Sequence, residues 1–268
     1  MAKFSIGTQK RIKIHDNDLQ DAYNSEKAAI SSSSGDYPGF DYSDLDCIFK
    51  VASKNKKLFP SINIDKDTTD DALVSSYLHR WILSYCSAMT TVPSNRKASP
   101  KSSCSDPIVK KMVQQIQGLS DDAANNKELA HIIFMSAENV LGNLLEEYIF
   151  SNIKEYGWIW CAGNTLKSID FCNTSGKILL QIKNKSNSEN SSSSSVRKGT
   201  TIKKWYRLGT SNQNGVLSPD YKWEKLNKII NTSKKKGSQL PDCSMTEDAF
   251  VDFVVNAVIK NPEIITEK

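Results

Sequence analysis

The sequence is short of the residues from which metal and redox centres are commonly built. Its 268 residues include three histidines (His15, His79, His131), and the six cysteines (Cys47, Cys86, Cys104, Cys161, Cys172, Cys243) form no CxxC pair. That argues against a zinc finger or a dithiol redox motif. No apolar run approaches the roughly 18 residues of a membrane-spanning helix, and the basic N-terminus (Met1 to Lys13) has no apolar stretch behind it. A cytoplasmic protein with reduced, mostly buried thiols and no membrane partner is expected. What is present is ordinary globular usage: 38% hydrophobic and 24% charged residues, which argue against disorder, collagen and coiled-coil rods. The length suits one large domain or two small ones.

The formal net charge of +5 is unevenly placed. Residues 181–240 hold thirteen Lys/Arg against three acids, whereas the last 28 residues hold two Lys against six acids. A concentrated positive block creates a field suited to a polyanion, of which nucleic acid is the commonest. A solvated lysine-rich surface explains the same charge equally well.

The first 65 residues read as loops and short helices. From Thr69, the apolar residues Val74, Tyr77, Leu78, Trp81, Ile82 and Tyr85 recur at helical steps and predict one buried face. Residues 91–105 read as a long loop. Asp106 then forms an N-cap with Pro107 at the first helical position, and Val109, Met112, Ile116 and Leu119 are expected to face the core. A helical region over 127–155, with a break near Ser136, carries Leu141, Leu144, Leu145, Tyr148 and Ile149 and ends at Gly157. Beyond it the period becomes extended: Trp158 to Trp160, Leu166 to Cys172 and Lys177 to Lys183 are strand candidates, the last two joined by the turn Asn173-Thr174-Ser175-Gly176. A basic loop follows, then a helix over Ala249 to Ile259. Helices, a hairpin and a final helix indicate α/β or α+β, with a mostly helical region over 1–125 and a core over 126–268 that includes the basic segment 184–240.

Alternate side chains of a strand share a face, so Gln181 and Lys183 project together, about 6.6 Å apart along the strand. Asp170, on the partner strand, can be brought beside them. Its carboxylate, the Gln181 amide oxygen and the Ile182 carbonyl are hard oxygen donors of the kind Mg²⁺ takes, and Lys183 can orient a water or stabilise charge on a phosphate. Glu146 and Glu147 flank the apolar stripe of the preceding helix, where Gly142 would allow close approach to the sheet. Each of these residues taken singly has an ordinary structural explanation. Their conjunction, followed at once by the Ser- and Asn-rich basic run from Lys183 to Thr200, is less common. After that run, Trp205 and Tyr206 can pack or stack on bases, and packing suits Trp205 better.

Asp170, ten residues, then Gln181-Ile182-Lys183 resembles the PD-(D/E)xK nuclease signature, with Glu146 where that family's core helix often carries a further acid. The proline before the aspartate is absent, and Gln181 replaces the usual acid, exchanging a charged metal ligand for a neutral one. The run QIKNKSNSENSSSSSVRKGTTIKKWYR is similar to the stretch after the active-site strand in SinI-like type II restriction endonucleases, which cut GGWCC sites. The resemblance covers residues 136–207 and implies a restriction-endonuclease-like core, a mixed sheet flanked by helices, preceded by a helical N-terminal region. It implies a homodimer acting on double-stranded DNA, Mg²⁺-dependent hydrolysis leaving 5′-phosphate ends, and a cognate DNA methyltransferase in the same system without direct contact. Carried onto this chain, Asp170, Gln181 and Ile182 hold the metal, Lys183 orients water, and Glu146, or Glu147 in its place, supports them. Lys185, Asn190, Ser191, Ser193, Ser195, Arg197, Lys198, Lys203 and Arg207 are the expected DNA contacts, Arg being the usual reader of guanine O6 and N7. The rival from another class is a non-catalytic nucleic-acid-binding protein using the basic 181–240 segment. A nuclease of the same fold with a repair or junction-resolving task is a third reading.

Overall fold

The computed structural model describes residues 1–9, 12–98, 106–185, 202–234 and 237–265. In chain order its elements are β1 (Ala2–Phe4), α1 (Asp16–Ser31), α2 (Ser43–Lys54), β2 (Ile62–Ile64), α3 (Leu73–Thr90), α4 (Pro107–Gln117), α5 (Asp121–Ile153), β3 (Trp158–Trp160), β4 (Phe171–Asn173), β5 (Leu179–Lys185), β6 (Ile202–Gln213), β7 (Val216–Tyr221), α6 (Trp223–Thr232) and α7 (Glu247–Lys260). A mixed α/β architecture results, with β1 and β2 paired apart from a five-stranded sheet of order β3-β4-β5-β6-β7. Within that sheet β5 and β6 run parallel and the other neighbours antiparallel. The mixed sheet flanked by helices and the helical N-terminal region are those expected.

The chain divides into two compact units. One comprises Met1–Thr91 and Ile149–Thr246, the other Val92–Tyr148 and Glu247–Lys268. Neither is a run of consecutive sequence, and the expected division into 1–125 and 126–268 does not coincide with them.

The first unit is organised by an aromatic cluster on α3. Trp81 is buried with its ring edge-on to Tyr23, Phe49 and Phe59 at 6.2, 6.2 and 5.7 Å, and Tyr23 stacks on Phe49 at 3.9 Å. Such offset and edge-to-face geometries suit the ring quadrupoles. The Trp81 indole N–H donates to the Thr165 carbonyl at 2.9 Å, and Ser84 Oγ donates to the Gly163 carbonyl at 2.8 Å. At Gly163, φ is +68° and an added Cβ would lie 2.4 Å from the Ser84 carbonyl oxygen, so only glycine fits this close approach. Lys167 N–H bonds the Leu58 carbonyl at 2.7 Å. The stretch between β3 and β4 is thereby clamped onto α3 and the turn after α2.

In the second unit Leu144, Ala257 and Ile264 form a buried cluster with Val140, Phe253 and Val254 against it, and Tyr148 packs on Phe250 and Phe253. Asp106 caps α4 by accepting the Ile108 N–H at 2.9 Å, with Pro107 in the first turn, as expected.

Several expectations need correction. The N-terminal 65 residues contain two sustained helices, because Leu19, Tyr23 and Ile30 on α1 and Leu45, Ile48, Phe49 and Ala52 on α2 bury against α3's aromatic cluster or nearby. The 33-residue helix α5 is unbroken at Ser136, whose hydroxyl bonds the Ile132 carbonyl within the helix. Leu166 to Ile169 is not strand: Ser168 has φ +62°, Lys167 N–H bonds the Leu58 carbonyl and Ile169 N–H turns back to the Leu166 carbonyl, while Asp170 enters the ladder only as the residue before β4. The described part of the expected basic loop is instead the β6–β7 hairpin and α6, and the turn Asn214-Gly215, with φ +53° and +84°, is the hairpin signal that marks it. Val109, Met112 and Ile116 are exposed. All five described cysteines are free thiols, four of them buried, while Cys104 lies outside the described residues.

Trp81→Ala removes the ring on which this cluster converges and leaves the Thr165 carbonyl without its donor. A loss of about 3–5 kcal/mol in unfolding free energy is expected by urea denaturation, and a loss under about 1 kcal/mol would contradict the clamping role.

Candidate active site

The hairpin that carries the site is closed by local chemistry. Asn173 Oδ1 accepts the backbone N–H groups of Lys177 and Ile178, both at 3.0 Å, and Gly176 N–H bonds the Asn173 carbonyl at 2.7 Å. Gly176 adopts φ +66°, which the turn requires. The strands it joins pair Cys172 with Leu179 and Phe171 with Leu180. At the next step Asp170 N–H donates to that same Leu180 carbonyl at 2.9 Å, so two residues of one strand face one residue of the other. This is the arrangement of a β-bulge, and bulges re-aim a side chain at the end of a ladder.

Here the side chain re-aimed is the Asp170 carboxylate, whose Oδ2 accepts the Ile182 N–H at 2.6 Å. It takes the place on the edge of β5 that a residue of β4 would otherwise fill. Because the N–H and C=O of one strand residue face the same edge, the Ile182 carbonyl shares that edge with the carboxylate. Asp170 Oδ2 thus lies against the backbone midway between Gln181 and Lys183, which project to the face opposite Leu180 and Ile182. Burial pushes the Asp170 carboxyl up from 3.8 to about 6, opposed by the Ile182 N–H and by the Lys183 ammonium nearby.

The parallel pairing of β5 with β6 adds two residues that the sequence did not single out for the site. Gln181 is in register with Lys204, and Lys183 with Tyr206, so these four side chains belong to one face. The alternation in Lys203-Lys204-Trp205-Tyr206-Arg207 was the signal that could have found them. On the opposite face stand Lys203, Trp205 and Arg207. Trp205 packs against Trp223 with ring centroids 5.1 Å apart and donates to the Lys222 carbonyl at 2.8 Å, which is the packing role expected of it.

The other expected site residues are placed as follows. Lys185 ends β5, exposed, on the Gln181 and Lys183 face. Lys203 is exposed but belongs to the opposite face. Arg207 is only 7% exposed, donates through Nε to Asn184 Oδ1 at 2.8 Å and lies 5.5 Å over the Tyr221 ring, so its guanidinium is engaged inside the sheet instead of presented to DNA. Asn190, Ser191, Ser193, Ser195, Arg197 and Lys198 lie outside the described residues. Glu146 and Glu147 are half-buried on the part of α5 that belongs to the second unit. The Glu147 carboxylate accepts the backbone N–H and the hydroxyl of Ser94 at 2.7 and 2.6 Å, so it is committed to the turn at Pro93–Asn95. Where Gly142 was expected to permit close approach, an added Cβ would meet open space.

Among the described residues no cluster of three or more His, Cys, Asp or Glu is placed to hold a metal. The donor set here is of another kind: one carboxylate held where burial disfavours its charge, joined by the neutral oxygens of Gln181 and Ile182. Mg²⁺ characteristically takes one or two carboxylates and fills its remaining positions with water and substrate phosphate. The residues fit that ion, and they do not fit a soft metal that selects thiolate or imidazole.

The profile of the SinI restriction endonuclease family matches residues 79–256 of the chain. A curated relative, the type II restriction enzyme Eco47I of Escherichia coli, is 32% identical over 169 residues, covering 62% of this chain and 66% of that enzyme. The type II restriction enzyme SinI of Salmonella infantis is 36% identical over 116 residues, covering 42% of this chain and 50% of that enzyme. The chain thus spans between half and just under two thirds of the length of these relatives. No helix among the described residues is long and apolar enough to cross a membrane.

The raised Asp170 carboxyl sets a pH dependence. The metal-free folded protein holds this proton up to about pH 6, whereas the unfolded chain releases it near 3.8. Stability should therefore fall as pH rises from about 4 to 6, by up to about 3 kcal/mol, and stay reduced above that window. Asp170→Asn cannot ionise and keeps an oxygen for the Ile182 N–H. In EDTA it should exceed the parent in stability by up to about 3 kcal/mol at pH 8 and match it at pH 4, read by urea denaturation. A variant less stable than the parent at pH 8 would overturn the assignment of the strain.

Proposed function

Because the chain belongs to the SinI restriction endonuclease family, we propose that it is a type II site-specific deoxyribonuclease that hydrolyses phosphodiesters of double-stranded DNA with Mg²⁺, leaving 5′-phosphate ends. The observation that carries this reading is the Asp170 carboxylate bonded to the Ile182 N–H, between Gln181 and Lys183 on one strand. An isolated half-buried aspartate with a raised pKa, aimed by a bulge at a strand edge, is a costly arrangement for a plain scaffold, and such perturbed groups cluster at functional sites.

In this reading Asp170 is the principal metal ligand, with the Gln181 amide oxygen and the Ile182 carbonyl completing the protein's share. When bound, the cation supplies Lewis acidity and neutralises charge on the scissile phosphate. Lys183 orients the attacking water and stabilises negative charge growing on the phosphate oxygens. Lys185 and Lys204, on the same face as Lys183, make phosphate contacts, which position the duplex without reading its sequence. Base contacts are assigned to the Ser- and Asn-rich run with Arg197 and Lys198. GGWCC is the recognition site to test first, and the enzyme acts in the cytoplasm as a homodimer beside a DNA methyltransferase of the same system.

Digestion of a DNA of known sequence with Mg²⁺ at low salt should yield discrete fragments whose ends map to one site. Lys183→Ala and Asp170→Ala should each lower the cleavage rate at least about a hundredfold, while DNA affinity measured by gel shift changes only a few-fold. Uncut DNA under these conditions would favour a non-catalytic binding protein, and a smear would favour a nuclease of the same fold without sequence specificity.

A further inference from the structure

Residues 209–219 (GTSNQNGVLSP) carry no charged side chain, although they sit inside the most cationic part of the chain. They form the outer end of the β6–β7 hairpin. The last residue of β5, Lys185, pairs with Leu208, and from there β6 and β7 pair with each other, from Leu208 and Tyr221 out to Gln213 and Val216. Among the described residues no third strand accompanies them. At about 3.3 Å per residue these five steps make a two-stranded ribbon about 17 Å long. Register assigns its side chains to faces. Leu208, Thr210 and Asn212, with their cross-strand partners Tyr221, Pro219 and Leu217, continue the face of Gln181, Lys183 and Lys204. The reverse face is closed by polar pairs: the Ser211 and Ser218 hydroxyls bond at 2.6 Å, and Lys222 pairs with Asp220. On the site face Thr210, Asn212 and Pro219 are exposed, as is 68% of Leu217. Asn212 Oδ1 accepts the Gly215 N–H at 2.9 Å, which holds the amide at the tip with Nδ2 left to donate outward.

We propose that the β6–β7 ribbon enters the major groove of DNA beside the cleaved phosphate, where Thr210, Asn212 and Leu217 read base edges. The inference rests on the double-stranded DNA reading above and adds to it an element that tells one sequence from another. Shape and chemistry both select this occupant. A two-stranded ribbon fits the major groove, about 12 Å wide, and is too broad for a minor groove of about 6 Å. The ribbon's chemistry changes along its length as a groove changes with depth. Lys183, Lys185 and Lys204 at its base suit phosphates, and the uncharged side chains farther out suit bases, where an amide bonds adenine N6 and N7 and an apolar group meets the thymine methyl. Asn212 lies six residues beyond Tyr206, the register partner of Lys183. That is about 20 Å, so the ribbon reaches bases within about six pairs of the cut.

The full chain, with Ca²⁺ in place of Mg²⁺, is used to select bound duplexes from a random-sequence library, and affinity is then measured on the selected site and on an unrelated duplex. The parent should enrich one motif. Asn212→Ala and Leu217→Ser, at exposed positions where folding is little affected, should each lose the preference at one or two base pairs and bind the selected site at least about fivefold more weakly. Affinity for the unrelated duplex and its salt dependence should stay unchanged, because no cation is removed. Ser218→Ala, on the reverse face, should enrich the parent's motif. A parent that enriches no motif overturns the proposal, as do ribbon variants that keep the parent's full preference or weaken both duplexes equally, and a Ser218→Ala variant that loses it. Because selection reads binding and not cleavage, a chain that enriches a motif through the ribbon but never cuts defeats only the endonuclease reading. One that cuts at a defined site with both ribbon variants unaltered defeats only this one.

Discussion

A single hydrogen bond, from the Ile182 N–H to the Asp170 carboxylate, is the constraint around which the site is arranged. It satisfies a strand-edge donor that β4 leaves behind when it ends, and in doing so holds an acid where burial opposes its charge. The two effects pull against each other. The N–H and the Lys183 ammonium favour the ionised form, and burial disfavours it more strongly. The result is a carboxylate held above its ordinary pKa at a strand edge, its charge only partly compensated by the groups around it.

That arrangement needs a rigid frame, and α3 supplies it. The Ser84 hydroxyl grips the carbonyl of Gly163 in the tight turn, the Trp81 indole grips that of Thr165 just after it, and Lys167 is tied to Leu58. These bonds fix the segment that delivers Asp170 to the end of the ladder. The Cys161 N–H bond to the Asp170 carbonyl, at 2.8 Å, holds the same residue from β3's side. A side chain placed by an aromatic cluster and four backbone carbonyls has little freedom to drift.

Charge and face together sort the cations of this protein. The net positive block of residues 181–240 was visible as a composition, but cations in it do different work. Lys183, Lys185 and Lys204 share the site face by the register of β5 with β6. Arg207 turns inward to Asn184 and Tyr221. A count of lysines and arginines cannot distinguish these, since neighbours on a strand point to opposite sides.

What a reader of the residues alone could learn was local in origin. The Asp106 and Pro107 start of α4, the Asn173 to Gly176 turn and the apolar stripe of α3 are all settled by chemistry within a dozen residues or so. The misreadings came from partners distant in sequence. The stripe on α4 looked like a core face because periodicity reports amphipathicity without saying what lies opposite. The helices before residue 65 looked weak because their burial depends on rings from α3. Lys204 and Tyr206 joined the site only through a parallel pairing across some twenty residues of intervening chain. The bulge that aims Asp170 is likewise a property of two strands together, and no pattern along either one encodes it.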